Sequence, residues 1–87
     1  MGSATFTTLF SAEITNDYGI TSTTSLIHRT AGITAAGSGT NVVAEAWIVR
    51  SQPKGQPCFY GRIFNDRLAA LDEYMARTAV RLERAVS

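Results

Sequence analysis

The sequence predicts an α+β domain, in which a small antiparallel meander of three to four strands carries one C-terminal helix on one face. Apolar and polar residues alternate in short stretches over the first two thirds of the chain, which is the period of half-buried strands. Residues typical of turns separate these stretches. The last quarter changes to apolar residues at helical spacing. At 87 residues the chain is predicted to form a single domain with a small core.

The first strand is predicted over residues 4–15. Phe6, Phe10 and Ile14 fall on one face of the alternation, and β-branched or aromatic residues make up much of the stretch, as is typical of strands. Residues 16–19 supply turn chemistry, because Gly19 can adopt a positive φ. A second antiparallel strand is therefore expected to follow at once.

The second strand is predicted over residues 20–36. Its alternation breaks near Leu26 and Ile27, and Gly32 interrupts it, so either a bulge or two shorter strands are expected. Residues 37–41 are predicted to be a hairpin loop. Gly37 and Gly39 could begin a dinucleotide-binding fingerprint, but the third glycine and the surrounding βαβ unit are missing.

The third and fourth strands are predicted over residues 42–51 and 58–64, joined by a turn with Lys54 and Gly55 at its tip. A two-residue turn would fix the pairing of these strands. That pairing sets Val49 opposite Tyr60, Trp47 opposite Arg62, and Glu45 opposite Phe64. Since side chains alternate between faces, Trp47 and Ile48 point to opposite sides of the sheet.

The helix is predicted over residues 66–86, with Asn65 as its N-cap. An apolar stripe along it comprises Leu68, Leu71, Met75, Ala79, Leu82 and Val86. Glu73 precedes Arg77 by four residues, the favourable order for a helical ion pair. Arg77, Arg81 and Arg84 are interpreted as a solvated face and not as a ridge that contacts phosphates.

The helix is expected to cover the sheet face built from small residues, because Ala44, Ala46 and Gly61 allow a close approach. The opposite face would then be open, and an apolar patch with embedded charge is typical of interaction surfaces. Its residues are the predicted partner-binding set: Glu45, Trp47, Tyr60, Arg62 and Phe64. The alternative, in which Trp47 belongs to the core and the helix covers its face, remains open.

Composition and charge give only weak indications about partners and location. A formal net charge of +1 gives no overall attraction to nucleic acid or membranes. The single cysteine, Cys58, favours a reducing compartment. Because neither a signal peptide nor a membrane-spanning apolar run is recognisable, a cytoplasmic location is expected. A small core also favours pairing of two copies as a homodimer.

The chain has few residues suited to catalysis. His28 is its only histidine and Cys58 its only cysteine, and no known motif spacing pairs them. No enzymatic activity, metal or cofactor is therefore expected. The leading hypothesis is a protein-binding module, a regulator, adaptor or inhibitor of the size class common among phage and mobile-element proteins. A nucleic-acid-binding sheet is the alternative, with Arg29, Arg50, Lys54 and Arg62 as its contacts. A structural subunit of a homo-oligomer is the third hypothesis.

Overall fold

A computed structural model describes residues 2–36, 39–56 and 60–79 of the chain. It contains six strands and one helix among these residues. They are β1 (Phe6–Thr15), β2 (Thr21–Arg29), β3 (Gly32–Ala36), β4 (Gly39–Val43), β5 (Ala46–Pro53), β6 (Tyr60–Phe64) and α1 (Arg67–Thr78). The four strands β1, β2, β5 and β6 form one antiparallel sheet in the order β1-β2-β5-β6, and α1 packs on it. The predicted α+β class is confirmed.

The predicted second strand is in fact two strands, β2 and β3, and the predicted third strand is also divided, because Val42 and Val43 belong to β4 and β5 begins at Ala46. Residues 39–41, predicted as part of a loop, also lie in β4. Arg29 pairs with Ala46 at the end of the first ladder, and Gly32 pairs with Val43 at the start of the second. The same number of residues separates these two pairs on each side of the ladder. The β3–β4 pair is therefore the continuation of the β2–β5 ladder after a short break. We call this outer β3–β4 hairpin the arm. Residues 37 and 38, between β3 and β4, lie outside the described residues.

The N-terminal segment supports the arm, a contact that the sequence pattern did not predict. The Ala4 amide donates to the Ile33 carbonyl over 2.9 Å, and the Ile33 amide donates to the Gly2 carbonyl over 3.0 Å. This contact requires glycine at position 32, where an added Cβ would lie 2.5 Å from the Gly2 carbonyl oxygen. Residues 2–4 therefore lie against β3 because Gly32 has no side chain.

A bulge in β1 separates two phenylalanines that were predicted to share a face. Phe6 pairs with Arg29 and Phe10 with Leu26, and the register shifts between Thr8 and Phe10. Because Leu9 is the extra residue, Phe10 points to the helix side, where its ring lies 6.0 Å from the ring of Tyr74. Phe6 points to the other side of the sheet.

The helix begins one residue later than predicted and ends earlier. Asp66, not Asn65, is the N-cap, since its carboxylate accepts from the Ala69 amide over 3.1 Å. At the other end Ala79 adopts a left-handed conformation with φ 57° and donates its amide to the Met75 carbonyl, which terminates the helix. The predicted continuation over residues 80–86 lies outside the described residues.

The helix covers the sheet face that carries Trp47, so the predicted assignment of faces is wrong. The buried core comprises Leu26, Val49, Ala70, Leu71 and Tyr74, with Trp47, Phe64, Leu68 and Met75 packed against it. Stabilisation by burial grows with the apolar area removed from water. Among the described residues, the covered face carries the aromatic rings of Phe10, Trp47 and Phe64, whereas the other face carries that of Phe6. The covered face therefore offers the larger apolar area, and this outweighs the closer approach that Ala46 and Gly61 would allow.

The register of β5 and β6 also differs from the predicted one. Trp47 lies opposite Phe64, and Val49 lies opposite Arg62. This is a shift of two residues from the pairing predicted for a two-residue turn. A shift of two leaves every side chain on its original face, so the register was not the cause of the wrong assignment of faces.

The buried stripe of the helix is rotated relative to the predicted one. Leu71 is buried as expected, but the other buried positions are Ala70, Tyr74 and Thr78, while Ala79 is exposed. Arg77 was expected in solvent, yet its side chain is only 12% exposed. Its predicted ion pair with Glu73 is present at 2.7 Å.

Candidate functional site

The sheet face opposite the helix carries a row of three isoleucines. In the register of the sheet Ile27 lies opposite Ile48, and Ile48 lies opposite Ile63. The three side chains therefore stand side by side across β2, β5 and β6, on strands about 5 Å apart. We call this row, together with Phe6 on β1, the open face.

The open face is apolar and partly accessible to solvent. Ile63 is 62% exposed and Phe6 is 56% exposed. A shallow groove of about 310 Å³ is lined by Phe6, Ile27, Ile48, Arg50, Gly61 and Ile63. Gly61 leaves the groove open beside Arg50, its cross-strand partner. Such a surface can take apolar groups from a partner, and Arg50 lies at its margin.

Hydroxyl groups border the open face on the side towards the β1–β2 turn. Ser11 and Ser25 lie opposite each other with their Oγ atoms 3.3 Å apart, and the Oγ1 atoms of Thr15 and Thr21 are 2.9 Å apart. These pairs point to the same side of the sheet as Ile27, because they differ from it by even numbers of residues along β2. The surface thus has an apolar centre and a polar border on this side, and polar margins are usual in protein interfaces.

The predicted partner-binding residues do not form an uncovered surface. Trp47 and Phe64 lie between the sheet and the helix. Arg62 lies on the same side, over the ring of Phe64 at 5.1 Å, and its guanidinium is 3.5 Å from the Glu73 carboxylate. Glu45 lies just outside the sheet, between β4 and β5. The side chain of Tyr60 lies outside the described part of the structure.

Of the four predicted nucleic-acid contacts, Arg29 and Arg50 lie on the side of the sheet that carries the open face, and the other two do not. Arg29 donates from Nε and Nη2 to the Ala44 carbonyl, over 3.2 and 2.9 Å, and so holds the base of the arm. Arg50 lines the open face, whereas Arg62 lies on the helix side. Lys54 is exposed in the β5–β6 turn. Since phosphate binding needs several cations on one surface, this distribution gives it little support.

The histidine that was considered for catalysis is held at the base of the arm. His28 Nε2 lies 2.8 Å from a Glu45 carboxylate oxygen, and its ring centre lies 5.2 Å from that of Trp47. Cys58 lies outside the described residues, so its relation to His28 stays a prediction. Within residues 2–36, 39–56 and 60–79, no group of three or more potential metal ligands is present.

A second polar cluster connects the helix to the sheet. Arg77 donates to Glu73 over 2.7 Å and to the Ser51 hydroxyl over 3.2 Å, and Ser51 in turn lies 2.9 Å from Thr24 Oγ1. Tyr74 packs one turn away, where burial raises the pKa of its phenol. Because Thr24 is buried and Arg77 nearly so, this cluster fixes the position of the helix and offers little surface to a ligand.

The sequence interpretation missed the open face because it assigned Ile48 and Ile63 to the helix side. Phe6 was missed because nothing in the alternation reveals the bulge at Leu9. The one signal in β5 itself is that Trp47 and Val49 carry more apolar area than Ala46 and Ile48, which favours the correct side. The outcome also depends on the other strands of the sheet.

Among the described residues, the fold and this surface define a small α+β domain with a sheet that is covered by a helix on one face. Comparison with protein-family models, with curated proteins and with solved structures finds no match for the chain. In the described part of the chain, α1 falls well short of the length and hydropathy that a membrane-spanning helix requires.

Proposed function

We propose that this protein is a non-enzymatic protein-binding module that docks a partner protein on its open face. The observation that carries the proposal is the isoleucine row, in which the highly exposed Ile63 continues the line of Ile27 and Ile48 across the sheet. By occupying a surface of its partner, such a module would act as a regulator, adaptor or inhibitor in the cytoplasm. No cofactor is needed for such a role.

The energetics favour binding through a few residues. Removing apolar surface from water stabilises by about 25 cal/mol per Å², and Ile63 and Phe6 have the most exposed apolar area on this face. Ile27 is already buried at 8% exposure, so it provides a rigid base and little further gain. Ile63 on β6 and Phe6 on β1 lie on either side of this base, so most of the gain is expected from the two outer strands.

Nucleic acid is the less favoured partner. A sheet that binds nucleic acid needs cations on the face that carries its apolar or aromatic residues, and the open face has Arg50 as the cation lining its groove. Affinity for nucleic acid would fall steeply with salt, whereas an apolar protein interface tolerates salt. Salt dependence therefore separates the two classes of partner.

Affinity capture from a lysate of the source cells tests the proposal. The capture would be run at about 0.3 M salt, where exposed charges are largely screened, with wild type, Ile63→Lys and the control Ile20→Lys. Ile20 is 52% exposed at the β1–β2 turn, outside the open face. Wild type and Ile20→Lys are expected to retain a stoichiometric protein that Ile63→Lys loses.

Circular dichroism of each variant would confirm that the fold is intact before capture. A protein retained equally by all three forms would place the binding surface elsewhere and contradict the proposal. Capture of nucleic acid alone, at lower salt, would support the alternative class.

A further inference from the structure

We propose that the open face takes a second copy of this chain, so that two sheets stack face to face with their helices on the outside. This inference rests on the proposed function, namely that the open face binds protein, and it names the partner. A sheet needs cover on each apolar face, and α1 covers only one. Stacked sheets with interdigitating side chains are a standard solution to this problem.

The order of the strands makes the open face self-complementary. β2 and β5 are the two central strands of the sheet. A twofold axis that runs between them, along the strands and in the plane of the interface, places β2 of one copy over β5 of the other. Because Ile27 and Ile48 lie at the same level in the register, Ile27 then lies over Ile48 of the second copy, twice.

The outer strands match in the same way. The axis places β1 over β6 of the second copy, and Thr8 shares the level of the isoleucine row. Phe6, two residues further along β1, then lies within reach of Ile63 of the second copy, since residues advance by about 3.3 Å along a strand. The two most exposed apolar side chains of the open face would cover each other.

Arg50, which is the cation among the described residues that line the groove, is also compatible with this arrangement. Arg50 lies opposite Ser25 in the register, so the same axis places Arg50 over Ser25 of the second copy, whose hydroxyl can accept from the guanidinium. The formal net charge of the chain is +1, so two copies repel each other only weakly. A heterologous partner would need an aliphatic row of its own, which the second copy already has.

The size of the face agrees with a dimer of modest affinity. Four strands about 4.8 Å apart and eight paired residues at about 3.3 Å give a flat area of roughly 500 Å² per copy. Two copies would therefore bury about 1,000 Å² or more, because side chains raise the accessible area above the flat projection. This buried area lies at the lower end of the range for specific protein interfaces. Micromolar dissociation constants are ordinary for interfaces of this size.

Sedimentation equilibrium with purified protein tests the inference. Wild type is expected to approach twice its monomer mass of 9.4 kDa at about 100 µM, where a dimer with a dissociation constant of about 10 µM is mostly associated. Ile63→Lys is expected to remain monomeric, and Ile20→Lys is expected to behave as wild type. If Ile63→Lys fails to fold, Ile63→Thr keeps a β-branched side chain and should raise the dissociation constant by about tenfold or more.

Two results would overturn the inference. Wild type that remains monomeric at about 100 µM excludes a dimer in the expected range. A dimer that persists in Ile63→Lys must use another surface, such as the exposed edge of β1. If wild type is monomeric but Ile63-dependent capture of a different protein is observed, the inference fails while the proposed function stands. If neither association depends on Ile63, both fail.

Discussion

Ala79 shows how a single backbone conformation can decide where an element ends. Its φ of 57° is a conformation that costs an L-residue with a Cβ roughly 1 kcal/mol, and glycine is the usual residue at this position. The sequence has alanine there, a strong helix former, and so gives no stop signal at the residue where the helix ends. The structure needs the left-handed residue because its amide caps the Met75 carbonyl.

We predict that Ala79→Gly increases the free energy of unfolding by about 0.5–1 kcal/mol, because glycine adopts this conformation without a steric cost. The matched control is Ala76→Gly, at an exposed position inside the same helix. There the same substitution should lower the free energy of unfolding by about 1 kcal/mol. Urea denaturation measures both, and equal destabilisation by the two variants would contradict the assigned helix end.

At the scale of elements, the main feature is that the β2–β5 ladder is followed, after a short break, by the β3–β4 ladder. An isolated two-stranded hairpin is only marginally stable in water, so the arm needs support. The structure supplies it at the base through Arg29 and the His28–Glu45 contact, and along β3 through residues 2–4. The close approach at Gly32 makes the last of these contacts sensitive to a single methyl group.

We predict that Gly32→Ala displaces residues 2–4 from the arm. The added Cβ would approach three backbone atoms at 2.5 to 2.8 Å, and backbone atoms cannot rotate away as a side chain can. Hydrogen exchange of the Ala4 and Ile33 amides, which donate the two bonds, should accelerate. Gly39→Ala is the control, because no atom lies within 4 Å of the Cβ added there. Unchanged exchange in Gly32→Ala would show that the segment is held in another way.

At the scale of the whole molecule, the arrangement is two layers, one helix on one sheet. The Cα atoms extend over 44 × 36 × 15 Å, and the shortest dimension has room for a sheet and a helix about 10 Å in diameter. A molecule this thin has little interior, so each large side chain between the layers contributes a considerable share of the stability.

We predict that Trp47→Ala destabilises the whole domain by about 2–4 kcal/mol, because Trp47 packs against the core between the sheet and the helix. The sequence interpretation expected the opposite, a loss of partner binding with the fold intact. Val42→Ala in the arm is the control, since Val42 is 71% exposed and should change stability by less than about 0.5 kcal/mol. Thermal unfolding distinguishes the two expectations. A melting temperature of Trp47→Ala equal to that of wild type would contradict a core role for Trp47 and support its role in partner binding.

Much of the fold follows from the sequence by itself. Alternation, turn residues and helical spacing are local properties, and they were sufficient for the α+β class, the four-stranded antiparallel sheet and the C-terminal helix. The split of residues 20–36 into two strands could also be anticipated, because Gly32 interrupts the pattern. The Glu73–Arg77 ion pair follows directly from helical geometry.

Only the tertiary structure decided which face the helix covers, and with it where the candidate site lies. A strand pattern gives two faces but does not say which one is buried, since that depends on the summed apolar area of several strands against one helix. The bulge at Leu9 also depends on contacts between distant residues. Because of it, Phe10 points to the core and Phe6 points to the open face. The site therefore depends on register and layer order, which are set by contacts between residues far apart in the chain.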